Sequence, residues 1–165
     1  MKRFFKLLLL LLLIVFALLQ LIPRPKKNID SSITKNDFTF TNTPPPAIQN
    51  ILKRSCYDCH SNSTEYPWYA HVQPVAWWLG DHIEHGKKEL NFSEFGTYNP
   101  RRKYKKLEEM YGEVKEDLMP LPSYTRIHRD AILNDDEKQM LLNWIDAESK
   151  KMEAVYPADS LKRKQ

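Results

Sequence analysis

The residues of this chain whose types and spacing can do chemistry lie at positions 56–60, where the sequence reads Cys-Tyr-Asp-Cys-His. Two thiols three positions apart lie on one side of a helical turn, and a histidine follows directly. In this spacing the thiols can add to the two vinyl groups of one haem, and the histidine can offer a nitrogen to the iron. The pattern predicts one covalently attached haem c, with Cys56 and Cys59 as attachment sites and His60 as an axial ligand.

Two other kinds of chemistry could use the same cysteines. They could form a thioredoxin-like redox pair, but such a pair normally opens a helix after a strand in a βαβ unit, and no such pattern surrounds Cys56. They could also be half of a zinc site, but the remaining histidines match no standard zinc spacing. Those histidines are His71, His82, His85 and His128. Haem attachment is the favoured interpretation, and zinc binding and thiol chemistry are the alternatives.

A six-coordinate haem iron needs a second axial ligand, and Met119 is the candidate. It comes 59 positions after His60, on a loop held by Pro120 and Pro122. A stiff loop suits a thioether, which binds iron only if its position is fixed in advance. The alternative is a histidine, with His82 first because it lies on the apolar side of its predicted helix. The other histidines come after it: His71, His85 and His128. An open sixth position is the remaining alternative.

Aromatic residues are predicted to complete the haem-binding surface. A haem is a large, flat, apolar ligand that needs such neighbours. Trp78 lies in an unusually aromatic segment, and Tyr124 follows the predicted methionine ligand by five positions. Simple core packing would also explain the tryptophans, so both interpretations of Trp78 stay open.

Apolar residues at helical spacing predict four helices that position these groups. No persuasive strand, repeat or glycine-rich phosphate loop accompanies them. The last helix starts at Asn134, which with Glu137 resembles a capping box. The four helices are predicted from the prolines at 44–46 to Cys56, from Pro74 to near Gly86, from Asn99-Pro100 to Leu118, and from Asn134 onward.

The N-terminus carries a long apolar run. Leu7 to Ile22 is interrupted only by Gln20, and counting from Phe4 gives nineteen residues. As a helix these would extend about 28 Å, enough to cross a bilayer core. A cleavable signal peptide is the alternative, but no small-residue cleavage site follows. The run therefore predicts an uncleaved signal anchor, a transmembrane helix that holds the protein in the inner membrane by a single pass.

The charge distribution bears on orientation and on partners. The chain has a formal charge of +4, and three of its 25 Lys and Arg residues precede the apolar run, which leaves 22 against 21 acidic residues. The remainder is nearly neutral, so nucleic acid is not expected as a partner. The basic start predicts an N-terminus inside the cell and a domain that faces the periplasm.

Composition divides the chain into four predicted parts. Residues 23–43 are rich in Pro, Lys, Asn, Ser and Thr with only scattered apolar residues, as is typical of a flexible tether. The predicted parts are the signal anchor at 1–22, the tether at 23–43, the haem-binding domain at 44–156 and a polar, frayed tail at 157–165.

The order of these parts resembles a class I c-type cytochrome, and more closely the bacterial haem-binding domain family. The likeness runs from about Pro45 to Lys150 and rests on five short motifs: Cys56–His60, Tyr66–Tyr69, Trp77-Trp78, Glu89–Ser93 and Met119–Leu121. It implies a covalently bound haem c, with Cys56 and Cys59 as attachment sites and His60 as an axial ligand. The fold expected is an all-α, small c-type-cytochrome-like domain of about four helices around one haem.

Ligation by His60 and Met119 would close both axial positions and leave electron transfer as the available chemistry. The predicted function is therefore a membrane-tethered electron carrier rather than an enzyme, working with redox partner proteins at the membrane. A small peroxidase is one alternative, and it needs an open sixth position with an acid or base such as His82 beside it. A sensor or accessory module, in which ligand exchange at Met119 is the signal, is the other.

Overall fold

The computed structural model describes residues 1–30, 32 and 34–162, and the regular elements in these ranges are helices. The predicted all-α class is confirmed, and α3, α5, α6 and α8 are the four helices that periodicity predicts. The α-helices are α1 (Lys2–Leu19), α2 (Phe38–Asn42), α3 (Pro46–Ser55), α4 (Tyr57–His60), α5 (Val75–Glu89), α6 (Pro100–Lys115), α7 (Pro122–Thr125), α8 (Asp135–Val155) and α9 (Ala158–Leu161). Three 3₁₀ helices cover Trp68–His71, Phe92–Thr97 and Arg129–Ala131.

The N-terminal helix is shorter than the apolar run that predicts it. Helix α1 ends at Leu19, so Leu21 and Ile22 lie outside it, and Lys6 lies within it. Its uncharged part, residues 7–19, would extend about 20 Å, against about 30 Å for the hydrocarbon core of a bilayer. Among the described residues, no helix combines the length and the apolar character that crossing a membrane requires. The predicted transmembrane helix and the predicted single-pass location in the inner membrane are therefore wrong.

The core lies among α3, α6, α8 and the 3₁₀ helix Phe92–Thr97, and Phe38 of α2 is fully buried within it. The ring of Phe38 meets the edges or faces of three aromatic rings at centroid distances of 4.7–5.6 Å. These rings belong to Phe92, Phe95 and Trp144. Phe38 belongs to the segment that composition predicts as a tether, so part of that segment contributes to the core.

Replacing Phe38 with alanine is expected to lower the free energy of unfolding by about 3–5 kcal/mol, because it removes a fully buried aromatic side chain and leaves a cavity. Unfolding in urea measures the change. Phe40 lies on the same short helix but is 61% exposed, so Phe40→Ala is the matched control and should cost little. Equal, small losses in the two variants would contradict the core position of Phe38.

A second part of the predicted tether is tied to the loop that follows α4. The side-chain amide of Asn28 donates to the Ser61 carbonyl at 2.8 Å and to Thr64 Oγ1 at 2.9 Å. Its oxygen accepts from Lys87 Nζ of α5 at 2.6 Å. The neighbouring Ile29 forms an isolated antiparallel bridge with Ser63. One asparagine thus joins the N-terminal segment to two elements that surround His60.

One helix start agrees with the sequence, and other helix ends differ. Helix α6 ends at Lys115, three residues before the predicted end at Leu118. Asn134 and the Glu137 side chain form the predicted capping box at the start of α8. Helix α5 continues three residues past Gly86, where it was predicted to end, because Gly86 packs against the neighbouring helix α4 and does not cap its own helix. The segment predicted as a frayed tail forms α9, whose Leu161 is buried; residues 163–165 lie outside the described residues.

Candidate functional site

The Cys-Tyr-Asp-Cys-His sequence forms the junction between α3 and the single turn of α4. Cys56 lies between the two helices, and its carbonyl accepts hydrogen bonds from the backbone N–H of Cys59 at 3.2 Å and of His60 at 3.0 Å. The turn therefore brings both thiols and the imidazole to the same part of the domain. Both cysteines are free.

These groups line one cavity of about 570 Å³, a volume within the range of small-molecule and cofactor sites. Of the residues predicted to bind the cofactor, Trp78 is not in its wall: it is 45% exposed, and its ring packs on the wall residue His82 with centroids 4.2 Å apart. The predicted site residues and alternative ligands in the wall are Cys56, Cys59, His60, His82, His85, Met119 and Tyr124.

The His60 ring is oriented by the main chain of residue 90. Its Nδ1 lies 3.0 Å from the Leu90 carbonyl oxygen. Because a carbonyl only accepts, Nδ1 carries the proton and donates it, which leaves the lone pair on Nε2 available to a metal. Burial lowers the pKa of His60 below its usual value, although the hydrogen bond to Leu90 opposes that effect. The neutral imidazole that an iron ligand requires is therefore favoured.

The segment Glu89–Ser93, whose role the sequence does not reveal, surrounds this histidine. Leu90 supplies the accepting carbonyl, and the Phe92 ring stacks on Tyr57 with centroids 4.9 Å apart and planes 7° from parallel. The Asn91 amide donates to Asn62 Oδ1 at 2.8 Å. The segment thus holds the imidazole, the first residue of α4 and the loop after α4 in one arrangement. The thirty-residue separation between His60 and Leu90 gives no periodic signal from which this could be predicted.

The two thiols are in an environment that opposes ionisation. Burial raises the pKa of Cys56 to about 12. Burial, with the charge of Asp58 as a smaller cause, raises the pKa of Cys59 to about 11. Redox-active Cys-x-x-Cys pairs have lowered thiol pKa values, so this environment disfavours the thioredoxin-like alternative. The described residues also contain no group of three or more His, Cys, Asp or Glu placed to hold a metal ion by themselves.

Helix α5 approaches α4 closely at Gly86. A β-carbon at this position would lie 2.7 Å from the Cys59 carbonyl oxygen and 3.3 Å from the Cys59 β-carbon. Backbone atoms cannot move aside as a flexible side chain can. Only glycine therefore lets α5 pack this closely against the turn that carries the second thiol.

Replacing Gly86 with alanine is expected to push α4 away from α5 and to lower both the yield of haem-loaded protein and its thermal stability. Strain of this kind in a packed interior typically costs about 1–3 kcal/mol, which outweighs the gain from a better helix former. The measurements are haem content per chain and the melting temperature.

The matched control for this change is Gly112→Ala. Gly112 lies inside α6, and a β-carbon there would meet nothing within 4 Å. Alanine should therefore stabilise the helix by about 0.5–1 kcal/mol. Equal effects of the two substitutions on stability and haem content would contradict the role of close packing at Gly86.

Met119 lies in the loop of residues 116–121 between α6 and α7, here called the Met119 loop. Asp117, two residues after the end of α6, is in the left-handed conformation, at a φ of 57°. The backbone N–H groups of Leu118 and Met119 then donate to the Glu113 carbonyl at 2.9 and 3.1 Å, as at helix ends of the Schellman type. The loop is thus anchored to the end of α6, and the half-buried Met119 faces the cavity that the thiols and His60 also line.

The alternative ligands occupy different positions. His82 lines the cavity, and its Nδ1 donates to the Trp78 carbonyl one turn earlier at 2.8 Å, which leaves Nε2 free. His85 lies at the rim beside Asp81, with its side chain 68% exposed. His71 and His128 do not line the cavity. Among the histidines considered for the sixth position, His82 therefore has the geometry closest to that of a ligand.

Lys106 is a buried, charged residue of the cavity wall that the sequence does not predict. The Lys106 side chain of α6 is only 10% exposed. Its ammonium group pairs with Glu109 at 2.6 Å and with Glu89 of α5 at 3.2 Å. Lys106 precedes the core residue Leu107, and nothing in the apolar spacing distinguishes it from the exposed lysines of the same helix.

Fold and site together define a small all-helical domain with a cofactor-sized cavity between a Cys-x-x-Cys-His turn and a methionine loop. The family model of the haem-binding domain matches residues 14–147, which is most of the chain. The chain therefore belongs to the haem-binding domain family, as the sequence motifs predict, and its cofactor is haem. No curated protein matches the chain, and no solved structure does.

Proposed function

We propose that the chain binds one haem covalently as haem c and serves as an electron carrier. The observation that carries the proposal is the shared cavity, whose wall contains Cys56, Cys59 and His60 together with Met119. Both thiols are free, and His60 keeps Nε2 available because Nδ1 is bonded to Leu90. These residues fit a haem in the number and the type of their donor groups.

In this proposal Cys56 and Cys59 form the two thioether links, His60 is the proximal ligand and Met119 is the sixth ligand. A haem with both axial positions filled supplies outer-sphere electron transfer to a redox partner protein. The chain's contribution is to fix the two ligands. The Leu90 carbonyl orients the imidazole, and the end of α6 positions the thioether.

The test is a spectrum of the protein matured together with a haem c attachment system, in the oxidised and reduced states. Haem should remain on the polypeptide after denaturation, the iron should be low-spin, and the oxidised protein should show the thioether-to-iron absorption band. The Cys56→Ala/Cys59→Ala variant is the control, and its haem should be released on denaturation. Haem that is released from the unaltered chain would contradict covalent attachment.

A second function is favoured by one observation, the free Nε2 of His82 in the cavity wall. If the sixth position is open, His82 could act as an acid or base beside it, as in a small peroxidase, or could exchange with Met119, as in a sensor. Binding of carbon monoxide to the reduced protein distinguishes an open or exchangeable sixth position from a closed one. Tight binding at modest concentration would support an exchangeable or open position, and no binding would support the electron carrier.

A further inference from the structure

One hydrogen bond joins the two sides of the haem cavity. The Tyr124 hydroxyl of α7 donates to Asp58 Oδ2 at 2.7 Å. Asp58 lies between the two cysteines on α4, and its other oxygen accepts from the Glu65 backbone N–H at 3.0 Å. Tyr124 comes five positions after Met119. The bond therefore connects the turn that carries both thiols with the end of the segment that carries the proposed sixth ligand.

The Tyr124 ring is held in place on its far side. It stacks on His128 with centroids 4.2 Å apart and planes 14° from parallel. His128 Nε2 in turn lies 2.6 Å from the Tyr69 hydroxyl. Burial, followed by the hydrogen bond to Asp58, raises the pKa of Tyr124 well above its usual value, so the hydroxyl stays protonated and keeps its donor role. The hydroxyl is thus held by Asp58 and the ring by His128, which is itself held by Tyr69.

The Tyr124–Asp58 bond is the main polar contact between the Met119 loop, with α7, and the turn that carries the thiols. Across the part of the chain that the structure describes, no second hydrogen bond joins the Met119 loop or α7 to α4. The bonds of Leu118 and Met119 to Glu113 fix only the start of the loop, at the end of α6. At its start the loop is held by the end of α6 and by the ion pair of Asp117 with Lys138 of α8, and at its other end it is held against α4 by Tyr124.

We propose that the Asp58–Tyr124 hydrogen bond holds the Met119 loop against α4 and so keeps the thioether in place as the sixth iron ligand. The inference rests on the proposed ligation by His60 and Met119. It assigns Asp58 and Tyr124 as positioning residues, which determine how readily an external ligand displaces the methionine. Without the bond, the loop loses its hydrogen bond to α4, and the state with an open sixth position becomes more populated.

The test is Tyr124→Phe, which removes the hydroxyl and keeps the ring that stacks on His128. The probe is imidazole added to the oxidised, haem-loaded protein. We expect the dissociation constant for imidazole to fall about tenfold, a factor that corresponds to about 1.4 kcal/mol and agrees with the contribution of a hydrogen bond to a charged group. The thioether-to-iron band should weaken at a lower temperature than in the unaltered protein.

The matched control is Tyr104→Phe. Tyr104 is buried and donates to Glu153 at 2.6 Å, the same kind of hydroxyl-to-carboxylate bond, but it does not line the cavity. Tyr104→Phe should change stability without changing the affinity for imidazole. Asp58→Ala should reproduce the effect of Tyr124→Phe, whereas Asp58→Asn keeps an accepting oxygen without the charge and should give an intermediate affinity.

An imidazole affinity unchanged in both Tyr124→Phe and Asp58→Ala would overturn the inference, as would an equally large effect of Tyr104→Phe. Failure of the proposed ligation gives a different result. In that case the unaltered protein itself lacks the thioether-to-iron band, and imidazole affinity does not depend on Met119. The two failures are therefore distinguishable in the same set of spectra.

Discussion

A chain with His60 replaced by alanine is expected to lose stable low-spin haem. His60 is the only histidine of the attachment motif, its Nδ1 is fixed by Leu90, and its Nε2 is the nitrogen left to bind iron. Alanine removes that nitrogen, and no other side chain of α4 can replace it. Absorption spectra of the oxidised and reduced protein should change to high-spin forms, and the yield of haem-loaded protein should fall severalfold or more.

His71→Ala is the control for this experiment. His71 is half-buried in the 3₁₀ helix Trp68–His71 and does not line the cavity, so its loss should leave the spectra unchanged. If His60→Ala retained the low-spin spectra of the unaltered protein, the proximal assignment would be wrong.

Met119→Ala is expected to lower the reduction potential and to open the iron to external ligands. A methionine ligand favours the reduced iron relative to a nitrogen ligand or water. Axial ligands set haem potentials over roughly 0.8 V, and we expect the loss of the thioether to move the potential by a substantial part of that range. Redox titration measures the shift, and binding of carbon monoxide to the reduced protein measures the opening.

The control for Met119→Ala is Met140→Ala. Met140 lies on α8, is 46% exposed and does not line the cavity, so its loss should affect neither potential nor ligand binding. If the spectrum of Met119→Ala kept all the bands of the unaltered protein, the sixth ligand would be a residue other than Met119. His82 is then the first to replace, because its free Nε2 lies in the same cavity wall.

Local pattern predicts much of this fold. Pro45, Asn99 and Asn134 precede α3, α6 and α8, and apolar spacing predicts which faces of these helices are buried. The pattern fails where burial depends on distant partners. Phe38 lies in a polar segment, yet it packs against rings from Phe92 to Trp144, far along the chain. The transmembrane prediction fails because an apolar run does not reveal where its helix ends.

In the candidate site, too, local pattern predicts some residues, and others depend on distant parts of the chain. The motif itself identifies Cys56, Cys59 and His60, because their spacing alone makes the chemistry possible. The groups that orient them come from elsewhere. The Leu90 carbonyl and Gly86 act through main-chain contacts, which cannot be predicted from the residue types at these positions. Trp78 was predicted to bind the cofactor because a haem needs aromatic neighbours, with core packing as the alternative, and the structure places it against the wall residue His82 but not in the wall itself.

The bonds of Asn28 have a practical consequence for anyone who wishes to shorten this protein. A version that began at Pro44 would omit Asn28 and Phe38, the first of which ties down the loop after α4 while the second fills the core. Its core would have a cavity where Phe38 packs against three aromatic rings, and the loop after α4 would lack the hydrogen bonds of Asn28. The smallest autonomous unit should therefore begin upstream of Asn28, some sixteen residues earlier than composition alone would place the cut.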